Sequence, residues 1–460
     1  MTEEQIKQKS DQRRAYMIEG SLIAVITTIS IPQVVTMLID SIYSIVDTFY
    51  VSRIGDAAIA AVGVNDSLMM LIRAISMGFG VGSASFISRA LGAKKDEDAS
   101  RAAVTTLFTA VGTLCVAAFF GSLFLLPLVN FLGATDTVRP YSMQYARWIL
   151  LSSPITAANT VLAQLLRAEG STLYSMIGMS SGCLINVAID PLFIYNLGFG
   201  VAGAAMAKGI CNSIALCILL WPFIRRKCVI KLRPSYFSPR GEIYAEIARM
   251  GVPTMIRTGM MSIATILINN TAASFGDAVM ASVSVANKSL RAVYSGIMGF
   301  SQGFQPVAGY CYGAKKYDRV IKAFSITMII GAVAGIVLGV GLGFFAPQVI
   351  GVFSGDPDVM EIGLILIRTQ SISLIPHVWV MIGSGFFQAL GMALKAAVLG
   401  LSRQLFVLIP CVILLSRLFG AVGLACAQAV ADMISLVLAA FLVIPTIREL
   451  NVLKKKENAP

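Results

Sequence analysis

The sequence predicts an all-α polytopic membrane protein in which twelve transmembrane helices form two parallel six-helix bundles related by pseudo-two-fold symmetry. Three observations support this class. The 460 residues are 57% hydrophobic and only 13% charged, and their mean hydropathy of +0.79 exceeds that of soluble domains. Apolar runs without charges recur, and the run at residues 102–130 exceeds the roughly 20 residues that a spanning helix needs. Finally, the two halves of the chain repeat one another.

Turn residues and charged residues separate the apolar segments and so locate the helices. The predicted helices are residues 21–50, 57–88, 102–127, 140–167, 172–196, 201–224, 245–271, 277–310, 320–347, 358–390, 396–416 and 420–446. The first segment is followed by no cleavage site of small residues, which indicates an uncleaved helix. The predicted regions are an N-terminal tail at 1–20, a first bundle at 21–224, a basic linker at 225–244, a second bundle at 245–446 and a basic tail at 447–460.

The repeat is visible at one constant offset, by which position 55 corresponds to position 276. "GDAAIAAVGV" at 55–64 matches "GDAVMASVSV" at 276–285, and "GAKK" at 92–95 recurs at 313–316. Between residues 55–95 and their counterparts, 14 of 41 positions are identical. Because each repeat contains an even number of predicted helices, both copies enter the membrane in the same direction. Such parallel repeats are typical of secondary transporters that work by alternating access.

The distribution of basic residues predicts the orientation of the helices. If the N-terminus is cytoplasmic, 24 basic residues lie in the tails and cytoplasmic loops, whereas Arg53, Arg139 and Arg417 lie on the other side. Both termini are therefore predicted to be cytoplasmic in a cell membrane. The net charge of +12 reflects this topology and contact with anionic headgroups, so no nucleic-acid partner is expected.

Ionisable residues inside apolar helices mark the predicted functional site. Asp47, Asp190 and Lys208 each lie roughly 9–12 Å from an outer helix end at 1.5 Å per residue. Asn186 shares a helical face with Asp190, and Asp40 shares one with Asp47. A charged residue costs at least about 2.5–3.5 kcal/mol in a spanning helix, so these five residues are candidates for a proton or sodium site. The alternative is a static buried network in which Asp190 pairs with Lys208.

The second half of the chain does not copy these groups. Ile268, Phe406 and Pro410 stand where the first half has Asp47, Asn186 and Asp190. This asymmetry favours ion coupling in the first half. The candidates for lining a substrate cavity are Arg257, Gln305, Arg403, Gln404 and Gln428. For the two arginines, contact between helices is the alternative, and His377 is predicted to be structural.

Catalysis and metal binding are not expected. The eight cysteines lie in apolar segments without a CxxC motif, and His377 is the only histidine. No nucleophile with an adjacent base can be assembled, which argues against an enzyme. No cofactor is expected beyond the coupling ion, H⁺ or Na⁺, and the partners expected are a small-molecule substrate and the bilayer. A monomer is expected.

Several long motifs resemble one known family. "IVDTFYVSRIGDAAIAAVG" at 45–63, "NVAIDPLFIY" at 186–195, "GFQPVAGYCYGAKK" at 303–316 and "SRQLFVLIP" at 402–410 are similar to segments of the multidrug and toxic compound extrusion (MATE) transporters. The resemblance implies two six-helix bundles around a V-shaped cavity, which export compounds in exchange for protons or sodium ions. It also implies coupling through the N-terminal lobe by Asp47, Asn186 and Asp190.

Two departures from the family pattern affect the expected coupling. A second branch of the family has a glutamate in helix seven after a "GxP" motif, where this chain has Met261 in "GVPTMIRTGMM". A cation site in the second half is therefore not implied. In the branch that couples through the first half, a small hydroxyl residue commonly stands at the position of Lys208. We expect Lys208 to compete with the coupling ion and to favour proton coupling.

The predicted function is a secondary active exporter of small amphipathic compounds coupled to inward proton or sodium flux. The alternatives are a flippase for a lipid-linked anionic precursor, whose phosphates the internal arginines would bind, and an exporter of an anionic or zwitterionic metabolite. A membrane receptor or scaffold is a further class, which the absence of a sizeable predicted soluble domain disfavours.

Overall fold

The computed structural model describes residues 3–352 and 356–457, and the regular secondary structure of this part of the chain is helical throughout. The extreme ends of the two predicted tails, residues 1–2 and 458–460, lie outside the described residues. The α-helices are α1 (Glu3–Glu19), α2 (Leu22–Ser52), α3 (Asp56–Gly92), α4 (Asp96–Leu123), α5 (Leu125–Phe131), α6 (Arg139–Ala168), α7 (Thr172–Pro191), α8 (Gly200–Ile224), α9 (Gly241–Ser274), α10 (Asp277–Gly313), α11 (Tyr317–Phe344), α12 (Ala346–Gly351), α13 (Pro357–Leu390), α14 (Ala393–Leu401) and α15 (Ile409–Glu457).

Twelve crossings of the membrane are confirmed. Among the described residues, ten helical segments are long and apolar enough to span a bilayer, and the last of them, Ala393–Lys456, holds two crossings. These two are separated at Gly420, whose φ of 60° and ψ of −139° interrupt α15. The remaining crossing is α10, which is long enough but carries Lys288 and Arg291.

The helices differ from the predicted segments mainly near their ends. The third and ninth predicted helices each stop early, at Phe124 and Phe345, and the short helices α5 and α12 follow. The N-terminal tail forms helix α1, although its residues show no apolar periodicity. Its last turns are nevertheless attached to the protein, because Met17 and Ile18 are buried and Arg13 Nη1 lies 3.0 Å from Glu169 Oε1.

The internal repeat is confirmed by the backbone. Gly55 and Gly276, which correspond to one another in the repeat, have φ angles of 135° and 112° before α3 and α10. Lys94 and Lys315 likewise share the left-handed region, with φ angles of 63° and 59°. A lysine rarely adopts this conformation, so its recurrence at equivalent turns shows that the two halves form the same local structures.

The chain divides into two compact units. Unit 1 comprises the described residues up to Met17 together with Val35–Met255, and unit 2 comprises Ile18–Val34 together with the described residues from Ile256 onward. The three divisions fall inside the helices α1, α2 and α9, and not in the basic linker. The domain boundaries predicted from the sequence stay a prediction.

Glycines explain how the ends of α2 and α9 pack. In unit 2, a Cβ atom on Gly303 of α10 would lie 2.4 Å from Ser30 Cα of α2. In unit 1, a Cβ atom on Gly82 of α3 would lie 2.4 Å from the carbonyl oxygen of Ile247 in α9. Gly82 and Gly303 are equivalent positions of the repeat. Their missing side chains let the helix backbones come into contact.

Gly303→Ala is expected to destabilise the protein by about 1–3 kcal/mol, because the added methyl group overlaps the backbone of α2. The matched control is Gly341→Ala in α11, where a Cβ atom would meet nothing within 4 Å. That variant is expected to gain up to about 1 kcal/mol from the better helix propensity of alanine. Thermal unfolding in detergent measures both, and equal melting temperatures for the two variants would contradict the packing.

Candidate functional site

A hydrogen-bonded chain in unit 1 connects α2 with α7. Asp190 is 1% exposed, and its Oδ1 accepts a hydrogen bond of 2.7 Å from Asn186 Nδ2. The hydroxyl of Tyr43 donates in turn to Asn186 Oδ1. The four-residue spacing places Asn186 one helical turn before Asp190, which explains why these two side chains meet.

A second pair lies beside this chain. Lys208 Nζ of α8 is 3.5 Å from Asp47 Oδ2 of α2, and it lies 5.8 Å from the centre of the Tyr43 ring. Both charged side chains are partly exposed, Lys208 at 21% and Asp47 at 17%. The alternative prediction pairs Lys208 with Asp190, but the structure places Lys208 beside Asp47 instead. Asn186 supplies the donor to Asp190, and the lysine reaches the acid on α2.

The Asp190 carboxyl group is only partly satisfied. Its Oδ2 is buried, and no described residue makes a hydrogen bond to it. Pro191 follows directly, and the helix continues as a π-helical turn at Leu192–Asn196. A buried carboxylate oxygen without a donor is unfavourable in its charged form, so binding a proton or a cation relieves this cost. The carboxyl group of Asp190 can thus bind an ion.

Asp40 is less involved in the site than the sequence predicts. Its side chain is half-buried, and among the described residues it has no hydrogen bond or ion pair with the other four. Within residues 3–352 and 356–457, no group of three or more His, Cys, Asp and Glu side chains could hold a metal ion. For a monovalent cation, the available oxygen ligands are those of Asp190, Asn186 and Tyr43.

Unit 2 contains a buried ionic cluster of its own. Asp432 of α15 is fully buried, and its Oδ1 lies 2.5 Å from Arg403 Nε. His377 Nδ1 of α13 is 3.1 Å from Arg403 Nη2 and 3.5 Å from Asp432 Oδ2. The ring centre of Tyr294 in α10 lies 4.6 Å from that of His377, with the two ring planes tilted by 49°. Side chains from four helical segments therefore form this cluster.

Sequence reasoning missed Asp432. The signal was present, since a single acid in the apolar stretch "AVADMISLVLAA" is the same pattern that identifies Asp190. His377, predicted to be structural, contacts both charged partners of the cluster. The second half therefore carries a buried acid after all, but at a position that does not correspond to Asp47 or Asp190.

The other cavity candidates are distributed along unit 2. Arg257 of α9 lies against Gly400 of α14, where a Cβ atom would be 2.9 Å from Arg257 Cδ. Gln404 is buried next to Arg403 in the π-helical turn Ser402–Leu408. Gln428 precedes Asp432 by one turn of α15, whereas Gln305 is partly buried in α10. The structure thus brings Arg257 and Arg403 to the same stretch of unit 2.

A protein-family model matches the chain twice. The family is MatE, and the matches cover residues 32–192 and 253–413. The second match begins and ends at the positions that correspond, in the internal repeat, to the two ends of the first match. The two matches together cover more than half of the chain.

Known proteins similar to this chain extend over nearly its whole length. The multidrug export protein MepA of Staphylococcus saprophyticus is 25% identical over 453 residues, which are 97% of this chain and 99% of that protein. Similar solved structures include MATE in the straight conformation, with a TM-score of 0.90 and 26% identity over 95% of this chain and 98% of that one. An outward-facing multidrug resistance MATE family transporter of the MOP superfamily has a TM-score of 0.88 and 27% identity, with coverage of 95% and 98%.

Proposed function

The chain belongs to the MatE family, and from this we propose that it is a secondary active exporter of small amphipathic compounds driven by inward flow of protons or sodium ions. It is a multi-pass membrane protein of a transporter family and not an enzyme. The similar proteins named above are a multidrug export protein and a multidrug resistance transporter, which favours efflux over the flippase alternative.

The observation that carries the coupling proposal is the buried carboxyl group of Asp190. Its Oδ2 has no hydrogen-bond donor among the described residues, although the residue is 1% exposed. A spanning helix retains an acid at such a cost when the acid takes part in ion movement. Asp190 is therefore the proposed ion-binding residue, with Asn186 and Tyr43 as its supporting ligands.

Ion binding at Asp190 has a direct route to a conformational change. The hydrogen bonds run from Asp190 through Asn186 to Tyr43, so they join α7 to α2. Protonation removes the negative charge that Asn186 Nδ2 stabilises and makes the carboxyl group a possible donor. If the outward and inward states differ in this contact, the ion gradient shifts the equilibrium between them. Alternating access would follow because the ion binds one of these two states more tightly than the other.

The proposed coupling ion is the proton. Lys208 already pairs with Asp47 at 3.5 Å, which leaves Asp190 without an ion pair of its own among the described residues. A sodium ion normally needs several oxygen ligands with net negative charge, and the ammonium group of Lys208 opposes it nearby. A proton needs only the one carboxyl group.

Lys208→Thr is expected to make efflux respond to sodium. Removing the ammonium group leaves Asp47 unpaired, and one charge at about 4 Å is worth roughly 1–4 kcal/mol, so the apparent sodium affinity should rise at least fivefold. Proteoliposomes with an imposed sodium gradient measure the response. The matched control is Lys288→Thr, which removes an exposed lysine of unit 2. Unchanged ion dependence and rate in Lys208→Thr would exclude a role for Lys208 in ion selection.

The proposed function is tested by efflux from proteoliposomes that contain the purified protein. A pH gradient, acidic on the side to which the dye is exported, is expected to accelerate efflux of an amphipathic dye, and an ionophore that dissipates the gradient should remove the acceleration. Equal rates with and without any gradient would contradict secondary active export. Cytoplasmic termini and a monomeric state are further proposals, supported by the basic loops and by the presence of both repeats in one chain.

A further inference from the structure

The charged residues inside unit 2 are unevenly balanced. Far from the helix ends, Asp432 is the one acidic side chain among the described residues of this unit. The basic side chains in comparable positions are Arg257, Lys288, Arg291, Arg368 and Arg403. Lys288, Arg291 and Arg368 are exposed on unit 2. The two less exposed arginines, Arg257 and Arg403, need partners within the protein or in a ligand.

Arg403 has its partners. Its Nε lies 2.5 Å from Asp432 Oδ1, and its Nη2 lies 3.1 Å from His377 Nδ1. His377 also approaches the second oxygen of Asp432 at 3.5 Å. Asp432 Oδ1 therefore carries the contact with Arg403, whereas Oδ2 is buried without a hydrogen bond among the described residues. No ion pair joins this carboxylate to Arg257 among the described residues.

Arg257 has no such partner in the part of the chain that the structure describes. Its Nε is buried, and no described residue accepts a hydrogen bond from it. Gly400, three residues before Arg403, gives the side chain room, because a Cβ atom there would be 2.9 Å from Arg257 Cδ. A guanidinium group without a counter-charge is costly in a spanning helix, and this cost is not offset by any described contact.

We propose that Arg257 is the centre of a binding site in unit 2 for an anionic group of the transported molecule. This rests on the proposed export function and specifies its substrate class: amphipathic compounds that carry a carboxylate, sulfonate or phosphate ester, including zwitterions. The guanidinium presents its donors in a planar fork that matches two oxygens of such a group. Arg403 adds positive potential nearby while Asp432 holds it in place.

The charge pattern also argues against the simplest structural role. An arginine that only joins helices is expected to donate to a carbonyl or a carboxylate of the neighbouring helix. Arg257 instead packs its aliphatic carbons against the Gly400 backbone position and leaves Nε without an acceptor among the described residues. A cationic substrate would meet Arg257 and Arg403 with only Asp432 to offset them, so this site favours negative groups.

Equilibrium binding to the full-length protein in nanodiscs tests the site without any ion gradient. The probes are 1-pyrenebutyrate and a pyrenebutyl trimethylammonium salt, which share an apolar body and differ in charge, and empty nanodiscs correct for partition into lipid. The wild type is expected to bind the anionic probe more tightly than the cationic one. Arg257→Gln should weaken binding of the anionic probe at least about tenfold, the loss of one charge-assisted contact, and leave the cationic probe unchanged or tighter.

Two further variants make the result specific. Arg257→Lys keeps the charge but loses the planar fork, so it should bind the anionic probe with intermediate affinity. Arg368→Gln removes an exposed base of the same unit and should behave like the wild type. A wild type that prefers the cationic probe would overturn the proposal. So would Arg257→Gln binding no worse than Arg368→Gln, or losing both probes together with a lower melting temperature, since that pattern indicates a packing role.

This experiment separates the two proposals. If the wild type does not prefer the anionic probe but still shows gradient-driven efflux, the proposed substrate class is overturned and the proposed export function stands. Binding that depends on Arg257 in a protein whose efflux ignores all gradients would overturn secondary active export and leave the anion site standing.

Discussion

Asp190→Asn is expected to reduce gradient-driven efflux to the rate of protein-free liposomes. Asparagine has nearly the same shape and can keep a hydrogen bond with Asn186, but it neither binds a proton nor carries a charge for a cation. In the wild type, Asp190 Oδ2 is buried without a hydrogen-bond donor among the described residues, so ion binding changes the energy of this site more than that of an exposed acid. Efflux under an imposed pH gradient measures the loss.

The fold of this variant should remain intact. The charged carboxylate is already costly where it lies, so its replacement by a neutral amide is expected to leave the melting temperature equal or higher. The matched control is Asp136→Asn, which removes an acid whose side chain is 89% exposed beside Arg139. Efflux by Asp190→Asn at the wild-type rate would exclude Asp190 as the coupling residue, whereas normal efflux by Asp136→Asn is expected.

Asp432→Asn is expected to destabilise the protein by about 3–5 kcal/mol, because it leaves the buried guanidinium of Arg403 without its counter-ion. For a unit of this size the melting temperature should fall by on the order of 10 °C. Thermal unfolding in detergent or nanodiscs measures the change.

Two comparisons distinguish the buried pair from an ordinary one. Asp318→Asn removes an acid near the start of α11 that pairs with Lys322 at 2.7 Å and with Lys454 at 2.5 Å. Because Asp318 is 38% exposed, this variant should lose no more than about 1 kcal/mol. The double variant Asp432→Leu with Arg403→Met should recover most of the lost stability, since it removes both charges. A double variant no more stable than Asp432→Asn would contradict an electrostatic origin of the loss.

The number of membrane crossings was predictable because it depends on local properties of the chain. Apolar length identifies each crossing, and the twelve predicted segments correspond to α2 to α4, α6 to α11 and α13 to α15 with its interruption at Gly420. The repeat was equally accessible, since the constant offset in the sequence recurs in the backbone at Gly55 and Gly276. The breaks at Phe124 and Phe345 were not predictable, because apolar residues continue on both sides of each break.

The members of the site were predictable, but their pairing was not. An ionisable residue in an apolar helix is visible in the sequence, which is how Asp47, Asp190 and Lys208 were identified. Which of them meet depends on how each helix is rotated about its own axis and on contacts such as that of Tyr43 with Asn186, which are 143 residues apart. The same limit explains why the partners of Asp432 lay beyond sequence reasoning.

By itself, the sequence determined the number of membrane crossings, the two-fold repeat and the ionisable residues Asp47, Asp190 and Lys208 of the site in unit 1, because hydrophobicity and residue identity are properties of short segments. Only the tertiary structure decided that Lys208 pairs with Asp47 and that Asp432 pairs with Arg403. It also decided that, among the described residues, Asp190 keeps an oxygen without a donor and Arg257 keeps a nitrogen without an acceptor. These choices arise from the packing of helices distant in the chain, which brings a limited number of acids and bases within a few ångströms of one another.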